Sequence, residues 1–258
     1  RLKDVKVLCE IGPGAPETIA AKTVPLVRAM MQRELKAYIA VDSDIDAAHA
    51  SSELVRKLTR AQVGACADDL FKGLDIQSSL EPKALMVLGS TIGNLPGAQK
   101  ADGHDAVQAV FNRAARNLDH MDDAFVFTFD TERREQELLR AYNGKYNEDF
   151  CLSFLHLIKE KCTVLGEFEP LVWRHEAVWH PATSQVAHIV FPAKDQDFDL
   201  DGERIKIKAG HKFVMNNSYK FSVEEIREHL EQAHLEATLF DSRKLSNNPM
   251  ALAIAHRP

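Results

Sequence analysis

The residues best suited to hold a ligand lie where an apolar run breaks into a turn, Val7-Leu8-Cys9-Glu10-Ile11-Gly12-Pro13-Gly14. Strand, glycine turn and helix in that order bring backbone N–H groups and a helix N-terminus against a bound group. A dinucleotide fingerprint needs G-x-G-x-x-G. Here the third position is Glu17, whose side chain would crowd and repel a pyrophosphate. Four further apolar runs end in polar residues. Ala37 to Val41 ends at Asp42, Gln62 to Ala67 at Asp68-Asp69, Ala84 to Leu88 at Gly89-Ser90-Thr91, and Ala124 to Phe129 at Asp130. One carboxylate after a strand means little, whereas an ordered series along one edge describes a site.

Segments of helical length, such as Pro16 to Glu34 and Asp105 to Leu118, separate these runs. The alternation predicts a doubly wound α/β domain, a parallel sheet with helices on both faces. After Asp130 the pattern changes. Glu132 to Tyr142 and Glu148 to Cys162 read as helices, followed by extended segments at 171–179, 185–191, 195–200, 204–208 and 212–215. Asp201-Gly202 is a hairpin turn signal between two of them. Ser222-Val223-Glu224-Glu225 is a capping box that opens a helix to about His234. Leu235 to Phe240 and Met250 to Ala255 read as a closing antiparallel pair, with Asn247-Asn248-Pro249 as the loop before it. The expected organisation is a ligand-binding core at 1–131 and 222–258, and an inserted mixed α/β lid that holds the substrate at 132–221.

Composition agrees with a cytoplasmic enzyme. The chain has 258 residues, is 45% hydrophobic, and contains no apolar run of membrane-spanning length. Its net charge is −6 without a basic block, which disfavours a nucleic-acid substrate held by its phosphates. The four cysteines, Cys9, Cys66, Cys151 and Cys162, form no C-x-x-C pair and read as reduced thiols. His175, Glu176 and His180 are too loosely spaced on a strand to be a ligand set, so no metal is expected. The chain begins at Arg1 with no methionine and no signal-peptide pattern, as a trimmed or partial chain would.

The turn Glu10-x-Gly12-x-Gly14 is the pattern of S-adenosylmethionine (SAM)-dependent methyltransferases. Asp42 lies 28 residues after Gly14, somewhat beyond the dinucleotide spacing of about 20. An ionised carboxylate there can still accept hydrogen bonds from both ribose hydroxyls. Asp68, or its neighbour Asp69, is placed to receive the adenine amino group. With Glu10, Gly12, Gly14, Gly89, Ser90 and Thr91, these residues are the expected cofactor edge for SAM and its product S-adenosylhomocysteine.

From about Val5 to the C-terminus the order of segments resembles the SAM-dependent histidine Nα-methyltransferase family of ergothioneine biosynthesis. The specific pieces are Leu88-Gly89-Ser90-Thr91-Ile92-Gly93-Asn94, Leu138-Leu139-Arg140-Ala141-Tyr142-Asn143 and Asn217-Ser218-Tyr219-Lys220-Phe221-Ser222. The resemblance implies that Asn94 and Tyr142 grip an amino acid's amino and carboxylate groups, and that Ser218 reaches its side chain. Without it, Tyr142 reads first as a core aromatic on an amphipathic helix, and Asn94 has an alternative reading as a helix cap. Lys220 reads as a strand-edge residue.

Two departures bear on the substrate. Histidine-binding members carry a glutamate two residues before the serine, where this chain has Asn216, and the Ile-Glu-Met-like pocket strand appears as Val186-Ala187-His188. An asparagine supplies no negative charge to an imidazole, and a lost buried polar partner costs about 1–3 kcal/mol. The family's N-terminal helical segment, which helps wall the pocket, is not within the chain. The expected activity is SAM-dependent N-methylation of an amino acid or related small metabolite other than histidine. Methyl transfer from a sulfonium is an in-line displacement by an amine lone pair, accelerated chiefly by alignment. Two alternatives remain: a SAM-binding subunit without catalysis, and a macromolecule methyltransferase, which would call for a basic stripe.

Overall fold

The computed structural model describes residues 2–69, 81–94, 103–242 and 249–258, so Asn247 and Asn248 lie outside the described residues. The chain divides into two compact units, Arg1–Thr131 with Phe221–Pro258, and Glu132–Lys220.

The larger unit is built on a seven-stranded sheet. Its strands are β1 (Val7–Ile11), β2 (Ala37–Asp42), β3 (Gln62–Ala67), β4 (Lys83–Val87), β5 (Ala124–Asp130), β12 (Glu236–Asp241) and β13 (Met250–His256). They run in the order β12-β13-β5-β4-β1-β2-β3. The first five pair in parallel, while β13 lies antiparallel between β5 and β12. The strand order reverses between β1 and β4, and at such a switch point the connections diverge and leave a crevice for a ligand. Every residue of β1 and of β4 is buried, as expected of central parallel strands covered on both faces. Beside them, Phe125, Phe127 and Phe129 of β5 oppose Ala255, Ala253 and Ala251 of β13, so bulky and small side chains interleave. Phe111, on α4 (Gly103–Arg116), packs on two of these rings with centroids 6.0 and 5.0 Å away.

The helix after β1 has an irregularity with a clear cause. α1 (Pro16–Thr18) passes through a π turn, Ile19–Thr23, into α2 (Val24–Met31) without a break. Pro25 lacks an N–H and its ring would strike the carbonyl four residues earlier in a regular helix. Widening the preceding turn relieves that clash. The next helix, α3 (Ile45–Thr59), is capped by Asp44, whose carboxylate accepts from the Asp46 and Ala47 amides. α7 (Val223–Gln232) opens with the expected capping box, Ser222 and Glu225 each bonding the other's backbone N–H.

The smaller unit contains α5 (Glu135–Tyr142), α6 (Lys145–Lys161) and two antiparallel sheets. The first sheet has the order β11 (Phe213–Tyr219), β8 (Gln185–Pro192), β7 (Trp173–His180), and the second β10 (Glu203–Ile207), β9 (Gln196–Leu200), β6 (Val164–Glu167). Asp201 and Gly202 form the two-residue β9–β10 turn, with φ of 49° and 91°. Both values suit the primed turns that match strand twist. In β11 the register shifts between Val214 and Asn216, a bulge that leaves Met215 unpaired and sets Asn216 opposite His188.

Among the described residues no helix is long and apolar enough to cross a membrane. None of the four cysteines is in a disulfide.

Candidate active site

Gly12 and Gly14 follow β1 with φ of 62° and 86°, a left-handed backbone that only glycine adopts without strain. The Gly12 N–H donates to the Val41 carbonyl at 2.8 Å, tying the turn to β2. A Cβ on Gly12 or on Gly89 would meet nothing within 4 Å, so both turns border open space.

Glu10 is not at that open edge. It is fully buried, and its Oε2 accepts from Thr23 Oγ1 at 2.8 Å and Tyr38 Oη at 2.9 Å. Lys22 Nζ stands 3.0 Å from Oε1, close enough for an ion pair but off the line of a hydrogen bond. Lys22 also reaches the Pro13 carbonyl at 3.5 Å. The carboxylate therefore positions the turn from below instead of meeting a ligand. The π turn is what delivers Thr23 and Lys22 to it. Sequence reading missed Lys22, Thr23 and Tyr38, since nothing in their spacing marks them as partners of a residue on β1.

The neighbouring strand ends carry the remaining edge residues. Asp42, half-buried at the end of β2, accepts from the Asp44 amide with Oδ1 at 3.1 Å, and no described donor takes its Oδ2. Asp68 follows β3 and its N–H donates to the Asp42 carbonyl at 3.0 Å, so the two ends are held side by side. The Asp69 amide donates to Asp68 Oδ1 at 2.7 Å. After β4, Gly89 and Ser90 have φ of 81° and 63°, and their N–H groups donate to Thr128 Oγ1 at 2.9 and 3.3 Å. Ser90 Oγ turns to Met250 Sδ at 3.3 Å and Thr91 Oγ1 to the Leu88 carbonyl at 3.1 Å. Those hydroxyls build the turn, leaving its backbone to line the edge. Asn94 closes the 3-10 turn Thr91–Gly93 with an exposed side chain, and the residues that would show whether it also caps a helix lie outside the described ones.

The smaller unit gathers a second polar group. Lys220 is 1% exposed, and its Nζ donates to Tyr142 Oη at 2.6 Å and to Ser218 Oγ at 3.1 Å. The two hydroxyls lie 3.1 Å apart. Both accept from the ammonium, and one hydrogen suffices between them, so the other hydroxyl hydrogen is left to donate outward. A positive centre behind such a donor suits an anionic group such as a carboxylate. Lys220 is therefore part of the constellation and not a strand-edge residue. Its spacing from Ser218, two residues along one strand face, was the signal available.

His188 is buried beside Tyr142, with ring centroids 5.1 Å apart and nearly perpendicular planes. Burial, with the charges of His175 and Lys220, pushes its pKa down to about 4. Asn216, half-buried, spends its Oδ1 on the Asn217 amide at 2.8 Å. Asn143 anchors the end of α5 by accepting the Ala177 N–H at 2.8 Å. His180 is exposed at the far end of β7, and five residues along a strand put it on the face opposite His175.

A family model described as histidine-specific methyltransferase, SAM-dependent, matches residues 2–245. The chain belongs to this family. It is a SAM-dependent methyltransferase with the class I sheet. A SAM-dependent methyltransferase from Clostridium acetobutylicum ATCC 824 shares the fold at 10% identity and a TM-score of 0.54, over 97% of this chain and 83% of that one. The CcbJ methyltransferase from Streptomyces caelestis does so at 13% identity and a TM-score of 0.53, over 98% and 89%. Identities this low bear on fold alone. No curated protein matches the chain. The edge fits SAM on its own terms: positive-φ glycine turns bordered by open space, and a carboxylate oxygen left over on the adjacent strand end.

Proposed function

We propose that this methyltransferase acts on the amine nitrogen of an amino acid or a related small metabolite other than histidine. The observation that carries the reading is the Lys220–Tyr142–Ser218 constellation, a buried cation with two hydroxyls suited to a carboxylate head group. In this reading the Gly12 and Gly14 turn, Asp42, Asp68 and the Gly89-Ser90-Thr91 turn hold SAM. Bound there, SAM supplies a methyl group activated on a sulfonium. The protein's own part is to hold the amino acid by its carboxylate at Tyr142, and its amino group at Asn94, with the amine in its neutral form. Ser218 completes the head-group site and borders the substrate side chain, which Asn216 and His188 then face.

Incubation with labelled SAM and a panel of amino acids and amines tests this. Label should pass to the nitrogen of a small carboxylate-bearing amine, as located by mass spectrometry. Full SAM binding with no methylated amine would instead support the non-catalytic alternative. Asn94→Ala and Tyr142→Phe should each lower methylation about tenfold or more, since a hydrogen bond to a charged group is worth about 1.5–3 kcal/mol. SAM affinity should be nearly unchanged in both, and calorimetry showing equal losses of cofactor binding would remove them from the substrate side.

Asn216 supports the exclusion of histidine, because a neutral amide whose oxygen already accepts the Asn217 N–H offers an imidazolium no negative charge to pair with. Asn216→Glu should raise histidine turnover relative to the native substrate. Efficient histidine methylation by the unmodified protein would overturn this part of the reading.

A further inference from the structure

Three side chains from three elements of the smaller unit converge behind Tyr142. Cys151 comes from α6, His175 from β7 and His188 from β8. His175 Nε2 lies 3.0 Å from His188 Nδ1, and Cys151 Sγ lies 3.5 Å from that same nitrogen. The three donor atoms all fall within 4.8 Å of one another. His175 and His188 are diagonal neighbours on adjacent strands, since His188 pairs with Ala177 and His175 with Val190. The imidazoles stack at 5.3 Å with planes 17° apart.

We propose that Cys151 Sγ, His175 Nε2 and His188 Nδ1 form a binding site for a single zinc-type divalent cation. The spacing is the main argument. Zinc bonds of about 2.0–2.1 Å to nitrogen and 2.3 Å to sulfur, at tetrahedral angles, separate the donors by roughly 3.3 Å and 3.6 Å. The His175–His188 and Cys151–His188 separations, 3.0 and 3.5 Å, are within a few tenths of an ångström of those values. A thiolate with two imidazoles is a set that selects zinc or copper over magnesium or calcium. Three protein donors also leave a fourth tetrahedral position for water or another ligand.

The surroundings agree in most respects. Burial keeps both imidazoles below their ordinary pKa, so both are neutral, as ligands must be. Glu148, one turn before Cys151 on α6, and Glu176 both act on His175 with negative charge. Lys220 works against a cation through His188, and the thiolate charge offsets it. Burial raises the Cys151 thiol to about 11, so the empty site holds a thiol. Binding displaces that proton to solvent, while the hydrogen between the two ring nitrogens moves to a distal nitrogen by tautomer exchange. The sequence hides this set because Cys151 lies 24 residues from the first histidine and 37 from the second. The site lies within the smaller unit and shares His188 with the proposed substrate pocket, and its test reads metal binding and not methylation.

The purified full chain, stripped with a chelator and dialysed, should take up one equivalent of Co2+. Intense visible bands of a tetrahedral ion and a near-ultraviolet thiolate-to-cobalt band should appear, and Zn2+ should bleach both. Cys151→Ser should lose the charge-transfer band, whereas Cys162→Ser should keep it. In the unmodified chain, Zn2+ should slow alkylation of Cys151 by about tenfold or more without protecting Cys66. This last measurement needs no variant to fold. Absence of Co2+ uptake, an unchanged spectrum in a folded Cys151→Ser, or equal Cys151 labelling with and without Zn2+ would overturn the proposal.

Discussion

Asp42→Ala is expected to weaken SAM binding by about 2–3 kcal/mol, a loss of roughly thirty- to over a hundredfold in affinity. The side chain stands at the end of β2, beside the glycine turn that follows β1, and the two ends are joined by the Gly12 N–H to the Val41 carbonyl. One carboxylate oxygen is occupied by the Asp44 amide and the other is left for a ligand. Removing both loses the charged acceptor and the local brace together. Asp42→Asn separates them, because it keeps an oxygen for the Asp44 amide and loses the charge. If the carboxylate holds the ribose hydroxyls, Asn should recover only a small part of the affinity. Calorimetry showing unchanged SAM affinity in the alanine variant would remove Asp42 from the cofactor edge.

Glu10→Ala is expected to act on stability first, costing about 3–5 kcal/mol. Truncation leaves the Thr23 and Tyr38 hydroxyls without their acceptor inside the core, and Lys22 without its counter-charge. Each stranded hydroxyl alone costs about 1–3 kcal/mol. Glu10→Gln should cost less, since an amide oxygen can still accept from one or both hydroxyls. Denaturant unfolding of the three proteins measures the difference. SAM affinity of the folded Glu10→Gln protein gives the second half of the argument. A modest loss fits a residue that shapes the turn from below, whereas a loss as large as that of Asp42→Ala would show direct contact after all.

The two residues were read from the sequence as one kind of thing, an acidic residue where an apolar strand ends. The structure separates them by a single geometric fact. Glu10 is still inside β1 and points into the core, whereas Asp42 is the last residue of β2, at the open edge. Side-chain direction alternates along a strand, so one position decides between interior and edge. An apolar run does not announce where its pairing stops.

Much of the larger unit was legible. β1, β2, β4 and β5 show as apolar runs because strands inside the sheet are covered by helices and neighbours, and that needs no knowledge of which neighbours; the edge strand β3 is apolar although none of its residues is fully buried. The Ser222 capping box and the Asp201-Gly202 turn were equally readable, since each depends on residues within four positions of one another. β6 was missed: Val164–Glu167 is short, largely exposed and broken by Gly166, so it carries neither alternation nor an apolar run. α3 was not singled out either, although Asp44 caps it and its buried residues, Ala48, Ser51, Ser52 and Val55, recur at helical spacing.

What the sequence determined by itself was local: the strands, the glycine turn with its left-handed backbone, the caps, and through them the fold and the cofactor class. What only the tertiary structure decided was which distant side chains meet. Lys220 joins Tyr142 across 78 residues, and Cys151, His175 and His188 converge from a helix and two strands. The β11 bulge shows the reason most directly. By strict alternation Asn216 would share a face with Val214, but one unpaired residue, Met215, turns Asn216 and Ser218 onto the face of Phe213 and His188. Alternation is a property of the chain, whereas register is a property of the pairing, and pairing exists only once the strands have come together.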